Sequence, residues 1–333
     1  MTETLPDRAL TERDQFGRAI EYLRISVTDR CNFRCLYCMP AEGLPWLPRA
    51  EILTYEEIAE IVGQLAPLGL RRIRLTGGEP TIRPDLERLI AMLRAIRGVE
   101  DIALSTNGVK LEALAATFRD AGLDRVIMSA DSLRPERIVK IARRNLGLDP
   151  VRAARAASAA GLAPMKINVV VMRGINDDEI ADFARLTLDN PWHIRFIELM
   201  PVGEMRDLTW DHVVPSDEVL SRVSDVAPLT EVAGPHGNGP AVYHAFAGAP
   251  GTIGVITPMS HTYCATCNRV RLTADGRRRT CLFGDHEVPL RDPLRSGQPL
   301  APLFRAALAG KPREHALLQM KVGGLRALSQ VGG

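Results

Sequence analysis

The chain has 333 residues, 46% of them hydrophobic and 25% charged, values ordinary for a globular protein with room for about two domains. Its 42 basic and 40 acidic residues leave a net charge of +2, which argues against a nucleic-acid-binding or membrane-surface protein. The polar opening lacks the apolar core of a secretory signal and no apolar run is long enough to span a bilayer, so a cytoplasmic protein is expected.

From Tyr22 to Met200 short β-like runs alternate with helix-like ones. The strand candidates are Tyr22–Val27, Arg72–Thr76, Asp101–Ser105, Arg125–Ser129, Lys166–Val171 and Ile194–Glu198, rich in Ile, Val and Leu like buried parallel strands. Thr54-Tyr55-Glu56-Glu57 reads as a capping box, followed by Ile58, Ile61, Val62 and Leu65 at helical spacing. Pro84-Asp85 and Asp177-Asp178-Glu179 place acid at further helix starts, and Val151–Ala160 is an Ala-rich helix former. Repeated β–α order implies a parallel sheet with helices outside, and six units fall short of the eight that close a barrel. An incomplete, laterally open (βα)6 barrel of the α/β class is therefore expected.

Beyond Asp211, Gly and Pro cluster at 233–240 and 248–251, around the strand-like runs Val242–Phe246 and Thr252–Thr257, with Arg269–Thr273 to follow. This reads as a smaller antiparallel layer over the open side of the barrel. Arg277-Arg278-Arg279 reads as a solvated turn. The expected divisions are a flexible segment 1–17, a barrel 18–210, a C-terminal domain 211–325 and a tail 326–333.

All six cysteines fall in two triplets, Cys31/Cys35/Cys38 and Cys264/Cys267/Cys281. Clustered cysteines in a chain without a signal read as metal ligands. Three thiolates leave a four-ligand centre one position short, where a small molecule can bind. The first triplet follows directly on the first strand, at the edge where parallel sheets bind ligands. Its C-x3-C spacing is wider than a zinc knuckle's, and no fourth Cys or His lies nearby. The second triplet, taken alone with His261 or His286, could equally make a Cys3His zinc site.

C-x3-C-x2-C with Tyr37 before the last cysteine resembles the signature of the radical S-adenosylmethionine (SAM) superfamily. That resemblance implies a 4Fe–4S cluster on Cys31, Cys35 and Cys38 whose fourth iron is chelated by SAM. Thr76-Gly77-Gly78-Glu79-Pro80, at the end of the second strand, matches a segment that meets the SAM amino group. Tyr37, Gly78, Ser129 and Met200 are the implied SAM contacts.

Tyr22–Pro40 and His261–Gly284 together, with RLTGGEPTIRPDL, STNG, KINVVVMRGINDDEI and RFIELMPVG between them, resemble the GTP 3′,8-cyclase family, also called molybdenum cofactor biosynthesis protein A. The resemblance implies a second 4Fe–4S cluster on Cys264, Cys267 and Cys281 whose open iron faces the purine of GTP. It also implies GTP contacts at Arg24, Arg74, Ser105, Lys166, Arg269, Val270 and Arg271, and a tail, Gly332 and Gly333, that reaches the active site. Ser105 stands where Thr is common and Ala130 where Leu is usual. The implied reaction is reductive SAM cleavage, hydrogen abstraction at C3′ of GTP and closure onto C8, the first step of molybdenum cofactor synthesis. Implied partners are a flavodoxin-like electron donor and the next pathway enzyme, cyclic pyranopterin monophosphate synthase, with a homodimer left open. The competing reading is a radical SAM enzyme with an auxiliary cluster acting on a peptide.

Overall fold

In a computed structural model, residues 11–200, 208–235, 239–284, 286–315 and 326–331 are described. The chain runs through β1 (Tyr22–Ser26), α1 (Tyr55–Leu65), β2 (Arg72–Thr76), α2 (Leu86–Arg94), β3 (Asp101–Thr106), α3 (Leu111–Asp120), β4 (Arg125–Ser129) and α4 (Pro135–Ala142). It continues through α5 (Pro150–Ala159), β5 (Lys166–Val171), α6 (Ile180–Asp189), β6 (His193–Glu198) and α7 (Ser216–Ser224). Strands β1 to β6 pair parallel in chain order, as the alternating pattern requires. Their outward side chains interleave with those of the helices in one core containing Phe118, Phe183, Trp192 and Phe196.

Local sequence explains the helix starts. Thr54 Oγ1 accepts from the Glu57 amide at 3.1 Å and Glu57 Oε2 accepts from the Thr54 amide at 2.7 Å, completing the expected capping box. Asp149 caps α5 through the Arg152 amide at 3.0 Å, with Pro150 next in the first turn. Asp177–Glu179 forms a short 3-10 turn before α6. Glu179 is fully buried there and accepts from Ser132 Oγ and the Leu133 amide, so it cross-links two loops besides lying near a positive helix end.

The C-terminal strands depart from expectation. After β7 (Leu229–Val232), β8 (Val242–Phe246) and β9 (Thr252–Ile256) come β10 (Arg269–Leu272), β11 (Arg277–Arg279) and β12 (Glu287–Pro289). They do not form a separate layer over the barrel. β10 joins β1 in parallel and β9 joins β6 in parallel, giving one sheet ordered β12-β11-β10-β1-β2-β3-β4-β5-β6-β9-β8-β7. An open barrel has two edges of unpaired backbone groups, and the C-terminal segments satisfy both. The antiparallel pairing expected there is confined to the outer ribbons β7–β9 and β10–β12.

The arginine run 277–279 is likewise a strand and not a solvated turn. Arg278 is 1% exposed and Arg279 2%. Arg278 lies over the Phe304 ring and donates to the Phe304 carbonyl, on α9 (Ala301–Ala309), which follows α8 (Arg291–Arg295). Arg279 pairs with Glu287. Residues 11–17, expected as part of a flexible lead-in, are hydrogen bonded, the Glu12 amide donating to the Leu68 carbonyl at 2.9 Å. The last described helix is α10 (Leu328–Val331); Gly332 and Gly333 lie outside the described residues. Among the described residues no helix is long and apolar enough to cross a membrane.

Candidate active site

Register places the two cysteine triplets at opposite ends of the barrel strands. Cys31 follows the C-terminal end of β1. Cys264 and Cys267 precede β10, whose first residue Arg269 lies beside Tyr22 at the start of β1. Cys281 returns to that same end after β11, which runs antiparallel to β10. A five-residue strand separates the two levels, on the order of 16 Å.

The first triplet lies on a loop held from below. Gly78 donates its amide to the Thr28 carbonyl, Glu79 donates to the Arg30 carbonyl, and Asn107 Nδ2 donates to Asn32 Oδ1 at 2.8 Å. A Cβ on Gly78 would stand 2.0 Å from the Arg30 carbonyl oxygen, so only glycine lets the cysteine loop lie this close. Glu79 is buried and accepts from Thr81, Thr106 and Asn107. Burial pushes the Cys31 thiol up to about 11 and the Cys38 thiol up to about 12. Burial, with neighbouring Cys38 and Asp131, also lifts Cys35.

The second triplet differs in surroundings. Burial lifts Cys264 above its ordinary value. Burial acts the same way on Cys267, but the Lys311 ammonium and then Arg269 outweigh it and bring that thiol below its ordinary value. All six cysteines are free, and within each triplet the sulfurs are close enough to raise one another's pKa. Among the described residues no three Cys, His, Asp or Glu side chains are drawn up around a single ion. Three thiolates in each triplet, one short of a four-ligand centre, suit a four-iron cubane, which takes its three cysteines on separate vertices. Two such clusters fit the donor sets.

Between the triplets lies a cavity enclosing about 1160 Å³ of space, its mouth included. Of the expected residues, Arg24, Arg74, Ser105, Arg269 and Arg271 line it, together with Tyr37, Ser129 and Met200. Lys166, Val270 and Gly78 do not. Lys166 is 3% exposed on β5, close to Arg195, Arg125 and Arg74. Val270 points into the hydrophobic core, leaving only its backbone to the site.

The cavity wall is a concentration of positive charge. Parallel register sets Arg271, Arg24 and Arg74 side by side on three neighbouring strands. Like charges in adjacent rows repel unless something between them is negative. Burial, then Arg74 and Arg271, takes Arg24 well below its ordinary value. Burial, then Arg269, takes Arg271 down to about 10. The buried Nε atoms of Arg24, Arg74, Arg195 and Arg269 have no hydrogen-bond partner. Glu198 and Asp131, both at the wall, are already engaged: Glu198 accepts from Ser216, Met259 and Ser260, and Asp131 from Tyr37 and Val170. A buried guanidinium nitrogen without a partner is costly, and phosphate oxygens are acceptors that suit it.

Arg195, 2% exposed on β6, lines this wall without having been singled out from sequence. Its signal was available: like Arg24 it is a lone arginine inside an apolar strand, two residues from another cavity-lining position, Ile197. The tail also reaches the wall, with Leu328 lining it and Arg271 donating to the Val331 carbonyl at 3.2 Å.

A partial parallel barrel with a three-cysteine loop after its first strand defines a radical SAM protein. A family model described as the radical SAM superfamily matches residues 25–187, and one described as molybdenum cofactor synthesis C matches 192–317. The chain belongs to the GTP 3′,8-cyclase family. It is 48% identical to the GTP 3′,8-cyclase of Moorella thermoacetica, over 96% of this chain and 100% of that one. With that of Heliobacterium modesticaldum it shares 46% identity, over 96% and 99%. The fold is shared with Streptococcus suis SuiB bound to S-adenosylmethionine, at a TM-score of 0.59 and 12% identity over 91% of this chain and 74% of that one.

Proposed function

We infer that this chain is a radical SAM GTP 3′,8-cyclase, acting at the first step of molybdenum cofactor biosynthesis. The observation that carries the substrate assignment is the row Arg271–Arg24–Arg74, joined by Arg195 and Arg269, around a cavity whose carboxylates are already occupied. A triphosphate supplies the missing negative charge.

Cys31, Cys35 and Cys38 would hold the first 4Fe–4S cluster, with Tyr37, Gly78, Ser129 and Met200 around SAM; Cys264, Cys267 and Cys281 would hold the second. When bound, these groups supply the one-electron chemistry that takes a hydrogen atom from C3′ of GTP and leads to the C3′–C8 bond. The residues of the chain supply the rest. The arginines would fix the triphosphate, with Lys166 adding charge from behind Arg195 and Arg74, and so orient the ribose. Ser105 offers a hydroxyl to the nucleotide, and Arg269, Val270 and Arg271 bring side chains and backbone from the strand after the second triplet. Burial of the wall excludes water, which would otherwise quench a carbon radical. Leu328 and Val331 already reach this wall, and Gly332 and Gly333, next in the sequence, would act there.

The divisions 18–210, 211–325 and 326–333 serve this arrangement as barrel, auxiliary-cluster region and tail. The proposal includes a cytoplasmic location, a flavodoxin-like electron donor and a product taken up by cyclic pyranopterin monophosphate synthase. Anaerobic reconstitution tests the metal assignment. About eight irons per chain are expected, falling to about four when either triplet is replaced by alanine; a zinc-loaded, iron-free protein would contradict it.

A further inference from the structure

Lys311 follows α9 and is 2% exposed. Its Nζ donates to the Thr280 carbonyl at 2.7 Å, the Arg269 carbonyl at 2.9 Å and Cys267 Sγ at 3.5 Å. Three acceptors call for three N–H donors, which the ammonium form alone has. Every one of them belongs to the frame of the second triplet: Cys267 itself, the residue two beyond it, and the residue before Cys281. The segment carrying the lysine is fastened from its other side. Gln15 donates to the Lys311 carbonyl, while Arg18 donates to the carbonyls of Pro312, Arg313 and Cys264. The charge is therefore fixed in place against one sulfur.

The two triplets consequently differ in their charged neighbours. At the first, Glu79 acts on Cys31 and is opposed there by Arg34, while Asp131 acts on Cys35. At the second, Lys311 and then Arg269 act on Cys267, whereas Arg18 is paired with buried Asp14. A reduced cluster carries one more negative charge than an oxidised one. Cations and hydrogen bonds to its sulfurs favour the reduced form, and adjacent carboxylates disfavour it.

We propose that Lys311 is a positioning residue for the second metal centre, raising the reduction potential of the cluster held there through its ammonium contact with Cys267. This rests on the reading that Cys264, Cys267 and Cys281 hold an iron–sulfur cluster. The resulting offset keeps the second centre from competing as a donor with the first, and makes its open iron a stronger acceptor for a purine lone pair.

The test is a potentiometric titration of the reconstituted full-length protein followed by electron paramagnetic resonance. The second cluster's signal is the one missing from Cys267→Ala. Lys311→Met and Lys311→Gln are expected to move that signal's midpoint to more negative potential at unchanged iron content, leaving the first cluster's midpoint in place, whereas Lys311→Arg, which keeps the charge, holds it near the wild-type value. Should Lys311→Met not fold, the comparison of Gln with Arg gives the same reading, since Gln keeps a donor and removes only the charge. Unmoved midpoints in the neutral variants overturn the proposal. A wild-type protein lacking any signal that Cys267→Ala abolishes would instead overturn the cluster assignment beneath it.

Discussion

The Tyr37 hydroxyl donates to Asp131 Oδ2 at 2.7 Å, joining the first cysteine loop to the end of β4. Asp131 is buried, which pushes its carboxyl up to about 6 despite this donor and the Val170 amide. Removing the phenolic donor leaves a buried acceptor short of a partner. Tyr37→Phe is therefore expected to lower the stability of the cluster-free protein by about 1–3 kcal/mol, measured by denaturant unfolding. Unchanged stability would show that this bond does not hold the loop.

Gly78 is predicted to admit no side chain. Its Cβ would collide with the Arg30 carbonyl, one residue before Cys31. Gly78→Ala should displace the loop and cost the protein its first cluster while sparing the second, so iron analysis should find about four irons instead of about eight. Full iron content would contradict the role assigned to this close approach.

Arg195→Ala should weaken GTP binding roughly 10- to 100-fold, the effect of one charge-assisted contact, with both clusters intact. Lys166→Ala should act in the same direction. Calorimetry on the unreduced protein separates this from any effect on turnover, and unaltered affinity would remove either residue from the nucleotide site.

Lys166 also predicts a pH dependence. Burial, then Arg195, Arg125 and Arg74, lowers its pKa from 10.5 to about 6. A base depressed in the folded state binds fewer protons there than when unfolded. Stability from this group is accordingly poorest below pH 6 and recovers as pH rises from about 6 towards 10.5. Lys166→Met should thus stabilise the nucleotide-free protein at pH 6 and do little near pH 10. A bound triphosphate reverses the repulsion, so GTP binding at pH 7.5 should take up protons, visible as a buffer-dependent binding enthalpy. Proton release, or no dependence on buffer, would contradict that.

Arg278 is predicted to be dispensable as a charge. It is buried with Nε and one terminal nitrogen unpartnered, and burial takes it down to about 9. Replacing such a group by an apolar one of similar length is often neutral or stabilising. Arg278→Met should hold or raise the melting temperature, while Arg278→Ala, which also empties the space over Phe304, should lower it.

Much of this was legible in the chain. The six barrel strands stood out because buried parallel strands are short apolar runs, and β2, β4 and β5 fall within the bounds expected for them. The site cysteines and Arg24, Arg74, Arg269 and Arg271 were recognisable from motif and resemblance. What was hidden is non-local. That β10 would lie against β1, and β9 against β6, depends on edge pairing between segments far apart in sequence, which no local pattern encodes. The same holds for Arg278, whose burial is set by Phe304 on a helix 26 residues away. Lys311 lies in an irregular segment after α9, where no periodicity marks a residue as buried.

The most direct test of the account is the yield of 5′-deoxyadenosine from reduced, fully reconstituted protein incubated with SAM. Cleavage that depends on GTP, with deuterium from C3′-labelled GTP recovered in the deoxyadenosine, is the predicted result. Cleavage indifferent to GTP, or deoxyadenosine carrying no label, would contradict the assignment of this arginine-walled cavity to that nucleotide.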